Sequence, residues 1–307
     1  MLDLLTLDAL FRRGRIRHRD RIWVMGIVNV TPDSFFAGGR FADPEEAVEA
    51  GLKMLEDGAD LLDIGGESTR PGAAPVDAAV ECARVAPVAR ALARQTQAPL
   101  SVDTRRLEVA QAAFDAGADI LNDVSALRRG DGGGASGDHD ALARLAAGAG
   151  AVVVLTHSHG VPAARSAPPG APADANAPER VAAWLLDRAR YAEARGVARE
   201  RIWLDPGFGF GKDWPDNRRL FMGLPEIVKL GAPVVVGASR KSFMGDALGL
   251  SADDRLEAGL SLAVLAAERG ARIIRTHDVG STRRALDMGA ALGVAPSCPR
   301  ASPGRSS

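Results

Sequence analysis

Residues 61–72 read LLDIGGESTRPG, and this stretch indicates the fold more directly than any other part of the chain. It begins as a short apolar run with one carboxylate, Asp63, and passes through the glycine pair Gly65 and Gly66 into a polar segment. A short apolar run bounded by glycine is typical of a buried β-strand. The stretch therefore predicts a strand that ends in a loop carrying chemically active side chains.

Apolar runs of this kind recur along the chain and are rich in Val, Ile and Leu. They lie near residues 23–28, 60–64, 99–102, 119–122, 151–155, 201–204, 233–237 and 272–275. Helix-like stretches with one apolar face separate many of them, namely Glu45–Glu56, Val76–Arg94, Arg106–Ala116, Val181–Arg195 and Arg255–Arg269. Such alternation predicts an α/β protein with a parallel sheet covered by helices.

Eight strand-helix repeats are the number required for a closed (β/α)8 TIM barrel, and we expect a single-domain barrel at residues 21–294. An open doubly wound sheet is the structural alternative. No Gly-x-Gly-x-x-Gly follows the first apolar run, which argues against a dinucleotide-binding sheet of that type.

The two ends of the chain are set apart from the predicted barrel. Residues 1–20 are assigned as an N-terminal extension, whose acidic residues and later basic run do not resemble a secretory signal. Residues 295–307 are rich in Pro and Ser and are predicted to form a disordered C-terminal tail. No apolar run reaches the roughly 18 residues of a membrane-spanning helix, so no membrane partner is expected.

Composition excludes several classes of protein. The 307 residues include 38 basic and 39 acidic ones, which gives a formal net charge of −1. A nearly neutral chain has no global field to recruit nucleic acid or an anionic membrane, so any anion must be bound locally. The two cysteines, Cys82 and Cys298, do not form a disulfide framework, and a reducing cytoplasm is the predicted location.

Polar side chains follow nearly every apolar run. They are Asn29, Asp63, Asp103, Asn122, His157, Asp205, Ser239 to Lys241, Arg275 and His277. In an eight-stranded barrel the loops after the strands form one face, and that face carries the chemistry. We therefore expect these side chains to meet at one end of the barrel.

The chain resembles the dihydropteroate synthases, a family of pterin-binding TIM-barrel enzymes, from about residue 21 to residue 288. The motifs that carry the resemblance are residues 63–72, Asn29 to Phe35, Ser101 to Thr104, Asn122 to Ser125, Leu204 to Lys212, Ser239 to Ser242 and Arg275 to Asp278. Several motifs in the right order are more specific than any one of them alone.

The resemblance implies a transferase of folate biosynthesis. Such an enzyme joins 6-hydroxymethyl-7,8-dihydropterin diphosphate to p-aminobenzoate and gives 7,8-dihydropteroate and diphosphate. It implies small-molecule substrates, Mg²⁺ as cofactor and a homodimer formed through barrel helices. The Ala- and Leu-rich helix Arg255–Arg269 is a candidate for the dimer contact.

A diphosphate site is predicted at the end of the eighth strand. Arg275 and His277 are two residues apart, so their side chains point to the same side of a strand and can both face a phosphate. The resemblance assigns this pair to the diphosphate and adds Asn29, which it also assigns to Mg²⁺. The alternative is that His277 and Asp278 only cap the next helix.

The resemblance assigns the pterin to Asp103, Asn122, Asp205 and Lys241, whose carboxylate, amide and ammonium groups match the donors and acceptors of a pterin edge. It places the catalytic residues at Asp63, Thr69, Arg70, Asp103 and Lys241. A buried carboxylate at a strand end must be paired, so any one of the carboxylates is alternatively a structural anchor.

The resemblance assigns p-aminobenzoate to Phe35, Pro71, Phe210 and Ser242. Ser242 precedes a predicted helix, where unpaired backbone N–H groups favour an anion such as the carboxylate of this substrate. The alternative is that Ser242 is an ordinary helix cap.

The chain departs from the family pattern after the fifth strand. The family commonly has Met-His-Met-Gln-Gly at the positions of Thr156, His157, Ser158, His159 and Gly160. Two apolar pterin contacts become polar, so weaker pterin binding is expected. The two histidines also suggest a metal pair, but no carboxylate or cysteine stands near them in the sequence.

Two other functions remain as alternatives. A pterin-dependent corrinoid methyltransferase shares Asp103, Asn122 and Asp205, but it does not need the diphosphate pair. A pterin-binding paralogue without turnover is the other alternative, because the altered loop after the fifth strand borders the pocket.

Overall fold

The computed structural model describes residues 21–31, 43–68, 76–128, 139–160, 167–168, 170–172 and 174–294. Several predictions fall outside these ranges and are not tested by the structure. They concern residues 1–20, residues 295–307, Phe35, Thr69, Arg70 and Pro71.

Eight parallel strands form a barrel in which sequence neighbours lie side by side. The strands are β1 (Trp23–Asn29), β2 (Leu61–Gly65), β3 (Leu100–Asp103), β4 (Ile120–Asp123), β5 (Val152–Thr156), β6 (Ile202–Asp205), β7 (Val235–Val236) and β8 (Ile273–Thr276). Their order is β6-β5-β4-β3-β2-β1-β8-β7. The last gap is closed by a parallel bridge between Leu204 and Val234, where Leu204 N donates to Pro233 O at 2.9 Å.

The described residues contain ten α-helices, most of which connect one strand to the next. They are α1 (Pro44–Glu56), α2 (Ala78–Gln95), α3 (Leu107–Ala116), α4 (His139–Gly148), α5 (Pro178–Glu193), α6 (Trp214–Met222), α7 (Leu224–Val228), α8 (Ser242–Leu248), α9 (Leu256–Glu268) and α10 (Val279–Ala291). None of the helices in these described ranges is long and apolar enough to cross a membrane.

Alternation along the strands produces two apolar layers. One buried cluster fills the barrel interior and consists of Trp23, Met25, Leu61, Ile120, Val152, Val154, Trp203, Val235 and Ile273. The intervening residues, such as Val24 and Leu62, join a larger cluster with the helices. Because side chains alternate, Asn29, Asp63 and Arg275 share the inward side with this interior cluster.

The predicted (β/α)8 barrel is confirmed. Each apolar run coincides with a strand to within about two residues, except that β7 is shorter than the run at 233–237. Pro233 has no N–H to donate to a sheet ladder, so regular pairing begins only at Val235. The short β7 leaves Gly237 and the loop from Ser239 at the rim of the barrel.

Candidate active site

An ion-paired cluster lies at the carboxyl ends of β2, β3 and β8. Arg275 donates through Nε to Oδ2 of Asp63 at 2.6 Å and through Nη2 to Oδ2 of Asp103 at 2.8 Å. Asn122 donates through Nδ2 to the same Asp63 oxygen at 3.0 Å. One guanidinium therefore bridges two carboxylates whose strands are neighbours, and the predicted residues Asp63, Asp103, Asn122 and Arg275 meet as expected.

Burial makes this cluster electrostatically unusual. Burial raises the pKa of Asp103 to about 7, and the nearby Asp63 carboxylate adds to the rise while Arg275 opposes it. The Arg275 guanidinium is itself disfavoured by burial, but Asp63 and Asp103 outweigh that effect and raise its pKa. Asp103 therefore titrates in the physiological range beside a permanent cation.

Asp205 and Arg275 approach each other where residue 237 has no side chain. A Cβ added to Gly237 lies 3.6 Å from Cδ of Arg275 and 3.8 Å from Oδ2 of Asp205. Oδ1 of Asp205 accepts a hydrogen bond from Gly207 N at 2.7 Å, which fixes the carboxylate. Gly237 thus opens the space between the ion-paired cluster and the opposite side of the site.

Lys241 reaches across from the loop after β7 to the loop after β6. Its ammonium donates to Phe208 O and lies 4.1 Å from the ring centroid of Phe210. Burial lowers the pKa of Lys241 to about 8, although the Asp205 carboxylate opposes the change. The predicted residues Asp205, Phe210 and Lys241 therefore form one wall of the site.

Asn29 completes the rim at the end of β1. Gly65 lies between Asn29 and Asp103. A Cβ added to Gly65 would lie 3.6 Å from Oδ1 of Asn29 and 3.6 Å from Cβ of Asp103. Asn29 is half-buried, so its amide stays accessible beside the cluster. This is the position expected for a group that contacts a ligand above Asp103.

His277 is held by a residue that the sequence did not single out for this role. Oγ of Ser239 accepts from His277 N at 3.2 Å and lies 3.2 Å from Nδ1 of the imidazole. These two contacts orient the ring. The neighbouring Asp278 stands at the N-cap of α10, but its carboxylate makes no capping bond.

Instead, Asp278 forms a bidentate ion pair with Arg240. Nε and Nη2 of Arg240 donate to the two Asp278 oxygens at 2.9 and 2.6 Å. Arg240 adopts a left-handed backbone conformation with a φ of +57°, which is unusual for a residue other than glycine. The ion pair ties the loop that carries Lys241 to the loop that carries His277.

Ser242 does not cap α8. Lys241 occupies the N-cap position, and Ser242 is the first residue of the helix, with an exposed side chain. The alternative of an ordinary cap is therefore wrong. The Ser242 hydroxyl lies at the rim of the site, next to Lys241.

The loop after β5 is packed more tightly than its polar sequence suggests. Ser158 Oγ donates to Gly160 O at 2.6 Å, so its hydroxyl bonds within its own loop. His157 packs edge-on against Trp184 with ring centroids 4.8 Å apart, and burial lowers its pKa. His159 pairs instead with Asn176 at 2.9 Å.

Metal binding by the two histidines gains no support from the described residues. No group of three or more His, Cys, Asp or Glu side chains able to hold a metal ion occurs among them. In the described structure His157 packs against Trp184, and His159 pairs with Asn176.

Known proteins match the chain over the same region. A model of the pterin binding enzyme family matches residues 25–277. The dihydropteroate synthase of Escherichia coli (strain K12) is 38% identical over 277 residues, which cover 90% of this chain and 94% of that protein.

Solved structures give the same result. A structure of Xanthomonas albilineans dihydropteroate synthase with 4-aminobenzoic acid is 43% identical, covers 90% of this chain and 95% of that chain, and has a TM-score of 0.78. Another, of the same enzyme with 7,8-dihydropteroate, is 41% identical with the same coverage and a TM-score of 0.76. The matches extend across the barrel and its catalytic face, and the chain belongs to the dihydropteroate synthase family.

Proposed function

We propose that the chain transfers the 7,8-dihydropterin-6-ylmethyl group from 6-hydroxymethyl-7,8-dihydropterin diphosphate to p-aminobenzoate. The bond between the methylene carbon and the diphosphate oxygen breaks, and a bond from that carbon to the aniline nitrogen forms. The products are 7,8-dihydropteroate, diphosphate and a proton. This is the transferase reaction for which the family is named.

The observation that carries the proposal is the bridging of Asp63 and Asp103 by Arg275 within a site that also contains Asp205 and Lys241. The carboxylates and the Asn122 amide offer acceptors and donors for a pterin edge. The same carboxylates favour a cation that develops on the pterin as the diphosphate departs.

Arg275 and His277 are the groups proposed to bind the departing diphosphate. Arg275 already satisfies two carboxylates, so its charge is fixed in position before the substrate arrives. Ser239 lies 3.2 Å from Nδ1 of His277 and orients the ring that is proposed to face a phosphate oxygen. Positioning of this kind lowers the reorganisation needed in the transition state.

The donor set fits Mg²⁺ bound mainly through phosphate oxygens and water. Mg²⁺ needs few protein ligands in such sites, and an amide oxygen is a suitable one. Asn29 would supply that oxygen at the rim of the barrel, next to Asp103. Bound there, Mg²⁺ would supply positive charge that stabilises the leaving diphosphate.

The p-aminobenzoate side of the site is proposed to lie between Phe210 and Ser242. The Phe210 ring offers an apolar face next to Lys241, and the Ser242 hydroxyl is exposed at the start of α8. This arrangement suits a flat aromatic ring with a carboxylate at one end. The family resemblance also assigns Phe35 and Pro71 to this substrate, and both lie outside the described residues.

A homodimer is part of the proposal. The helix α9 is rich in Ala and Leu and exposes 40% of Leu265. Met288 in α10 is 58% exposed, and Leu292, which follows the last residue of α10, is 66% exposed. The two helices pack on each other through Val264 and Gly289. Light scattering on the purified chain should give twice the mass of 32.0 kDa, and Leu265→Glu should shift it toward the monomer.

A cytoplasmic location is also proposed, because Cys82 is a free thiol and the proposed substrates are small polar molecules. Fractionation of cells that produce the chain, with detection by antibody, tests this point. Recovery in a membrane or secreted fraction would contradict it.

Variants test the proposed activity. Lys241→Ala and Arg275→Ala should each abolish formation of dihydropteroate, because each removes a fixed cation from the site. Arg180→Lys is the matched control, since Arg180 lies on the surface in an ion pair with Asp174. Turnover retained by both site variants would refute the assignment of the site.

A further inference from the structure

Lys212 is a buried cation that the proposed reaction does not use. It ends the glycine-rich loop after β6, and its side chain is 2% exposed. Its ammonium donates to Gly207 O at 2.9 Å, His157 O at 3.1 Å and Phe210 O at 3.2 Å. An ammonium has three N–H donors, so these three backbone carbonyls use its full capacity.

The loop from Gly207 to Lys212 is therefore held between two ammonium groups. Lys212 binds Gly207 O and Phe210 O from one side, and Lys241 binds Phe208 O. Residues 207, 209 and 211 have φ values of +69°, +77° and +68°, which suit glycine and let successive carbonyls point in different directions.

A second side chain fixes the same loop from α6. Asn217 accepts from Gly209 N at 2.8 Å through Oδ1 and donates to Lys212 O at 2.9 Å through Nδ2. Asn217 is 1% exposed. The backbone of the loop thus depends on interior side chains for its shape.

We infer that Lys212 is a positioning residue that sets the Phe210 ring against Lys241 and thereby determines how well p-aminobenzoate binds. The hydrogen bond from Lys212 to Phe210 O fixes the backbone of Phe210. The ring centroid of the same residue lies 4.1 Å from Nζ of Lys241. The bond to His157 O ties this wall to the loop after β5. Two of the four residues assigned to the pterin, Asp103 and Asn122, depend less on Lys212, because their strands place them.

This inference rests on the proposed function, so wild-type turnover is measured first in the same assay. Lys212→Met keeps the length of the side chain and removes all three hydrogen bonds. It should raise the KM for p-aminobenzoate roughly tenfold, while the Kd for the pterin diphosphate changes by less than about threefold. Lys229→Met is the matched control, because Lys229 is an exposed lysine paired with Glu226.

A double-mutant cycle with Phe210→Ala separates positioning from general structural support. If Lys212 acts through Phe210, Lys212→Met adds little to the KM for p-aminobenzoate in the Phe210→Ala background. If Lys212→Met does not fold, Lys212→Gln replaces it, and a smaller rise in the KM for p-aminobenzoate is then expected, because an amide keeps two of the donors. An active wild type with an unchanged KM in the folded Lys212 variant overturns the inference, as does an equal loss of pterin and p-aminobenzoate binding. An inactive wild type instead counts against the proposed function.

Discussion

Removal of the Arg275 guanidinium should destabilise the fold in a pH-dependent way. Arg275→Met leaves the fully buried Asp63 and the mostly buried Asp103 without their shared cation. Breaking a buried ion pair on one side costs about 3 to 5 kcal/mol. We expect a loss of that size in the free energy of unfolding at pH 8.5.

The sign of the pH effect follows from Asp103. In the wild type the folded-state pKa of Asp103 is raised from 3.8 to about 7, so this group lowers stability as the pH rises between those values. Without Arg275 the pKa of Asp103 rises further, and the loss of stability continues above pH 7. Each further unit by which the folded-state pKa of Asp103 rises lowers the free energy of unfolding by about 1.4 kcal/mol at a pH above that pKa. The difference between variant and wild type should therefore be larger at pH 8.5 than at pH 5.5.

Urea unfolding followed by tryptophan fluorescence measures this difference, since Trp23 and Trp203 lie inside the barrel. The free energy of unfolding of Arg275→Lys should lie between those of Arg275→Met and the wild type. A lysine ammonium reaches one carboxylate, but it cannot bridge both carboxylates as the guanidinium does. Arg180→Lys serves as the surface control and should leave stability unchanged. Equal stability of Arg275→Met and wild type at pH 8.5, or a difference that does not depend on pH, would refute the reasoning.

Three further changes test other parts of the site. Gly209→Ala should lower turnover roughly tenfold in steady-state kinetics, because Gly209 has a φ of +77° and an added Cβ lies 2.9 Å from Cδ of Lys241. Thr156→Met should lower the Kd for the pterin diphosphate by calorimetry, since a restored apolar contact is worth about 1 to 3 kcal/mol. Ser239→Ala should raise the inhibition constant of inorganic diphosphate roughly threefold to tenfold, because the ring of His277 loses a hydrogen-bond partner that lies 3.2 Å from its Nδ1 atom.

Full activity of Gly209→Ala would mean that the loop and Lys241 are not closely coupled. An unchanged Kd for the pterin diphosphate in Thr156→Met would show that the departure from the family sequence at Thr156 does not weaken pterin binding. Unaltered diphosphate inhibition in Ser239→Ala would assign diphosphate binding to groups other than the oriented imidazole of His277.

The barrel could be predicted because its strands are short apolar runs in regular alternation with amphipathic helices. The polar residues at the ends of these runs had to meet, since parallel strands of a barrel bring their carboxyl ends to one face. The sequence therefore predicts that Asp63, Asp103, Asn122 and Arg275 lie together. The register of β2, β3 and β4, in which Gly65 pairs with Asp103 and Asp103 with Asn122, accounts for their contact.

Other parts of the site could not be predicted, because they depend on loop backbones. The partners of Lys212 are carbonyl groups from two loops, and carbonyl groups carry no sequence signal. The ion pair of Arg240 with Asp278 requires a left-handed residue that is not glycine. The role of Ser239 depends on the orientation of His277 rather than on any spacing in the sequence.

The most direct test of the account is turnover by the purified chain with 6-hydroxymethyl-7,8-dihydropterin diphosphate, p-aminobenzoate and Mg²⁺. Dihydropteroate and diphosphate are followed together, with each component omitted in turn. We expect both products to form in equal amounts and only in the complete mixture. Binding of the pterin diphosphate without formation of dihydropteroate would contradict it.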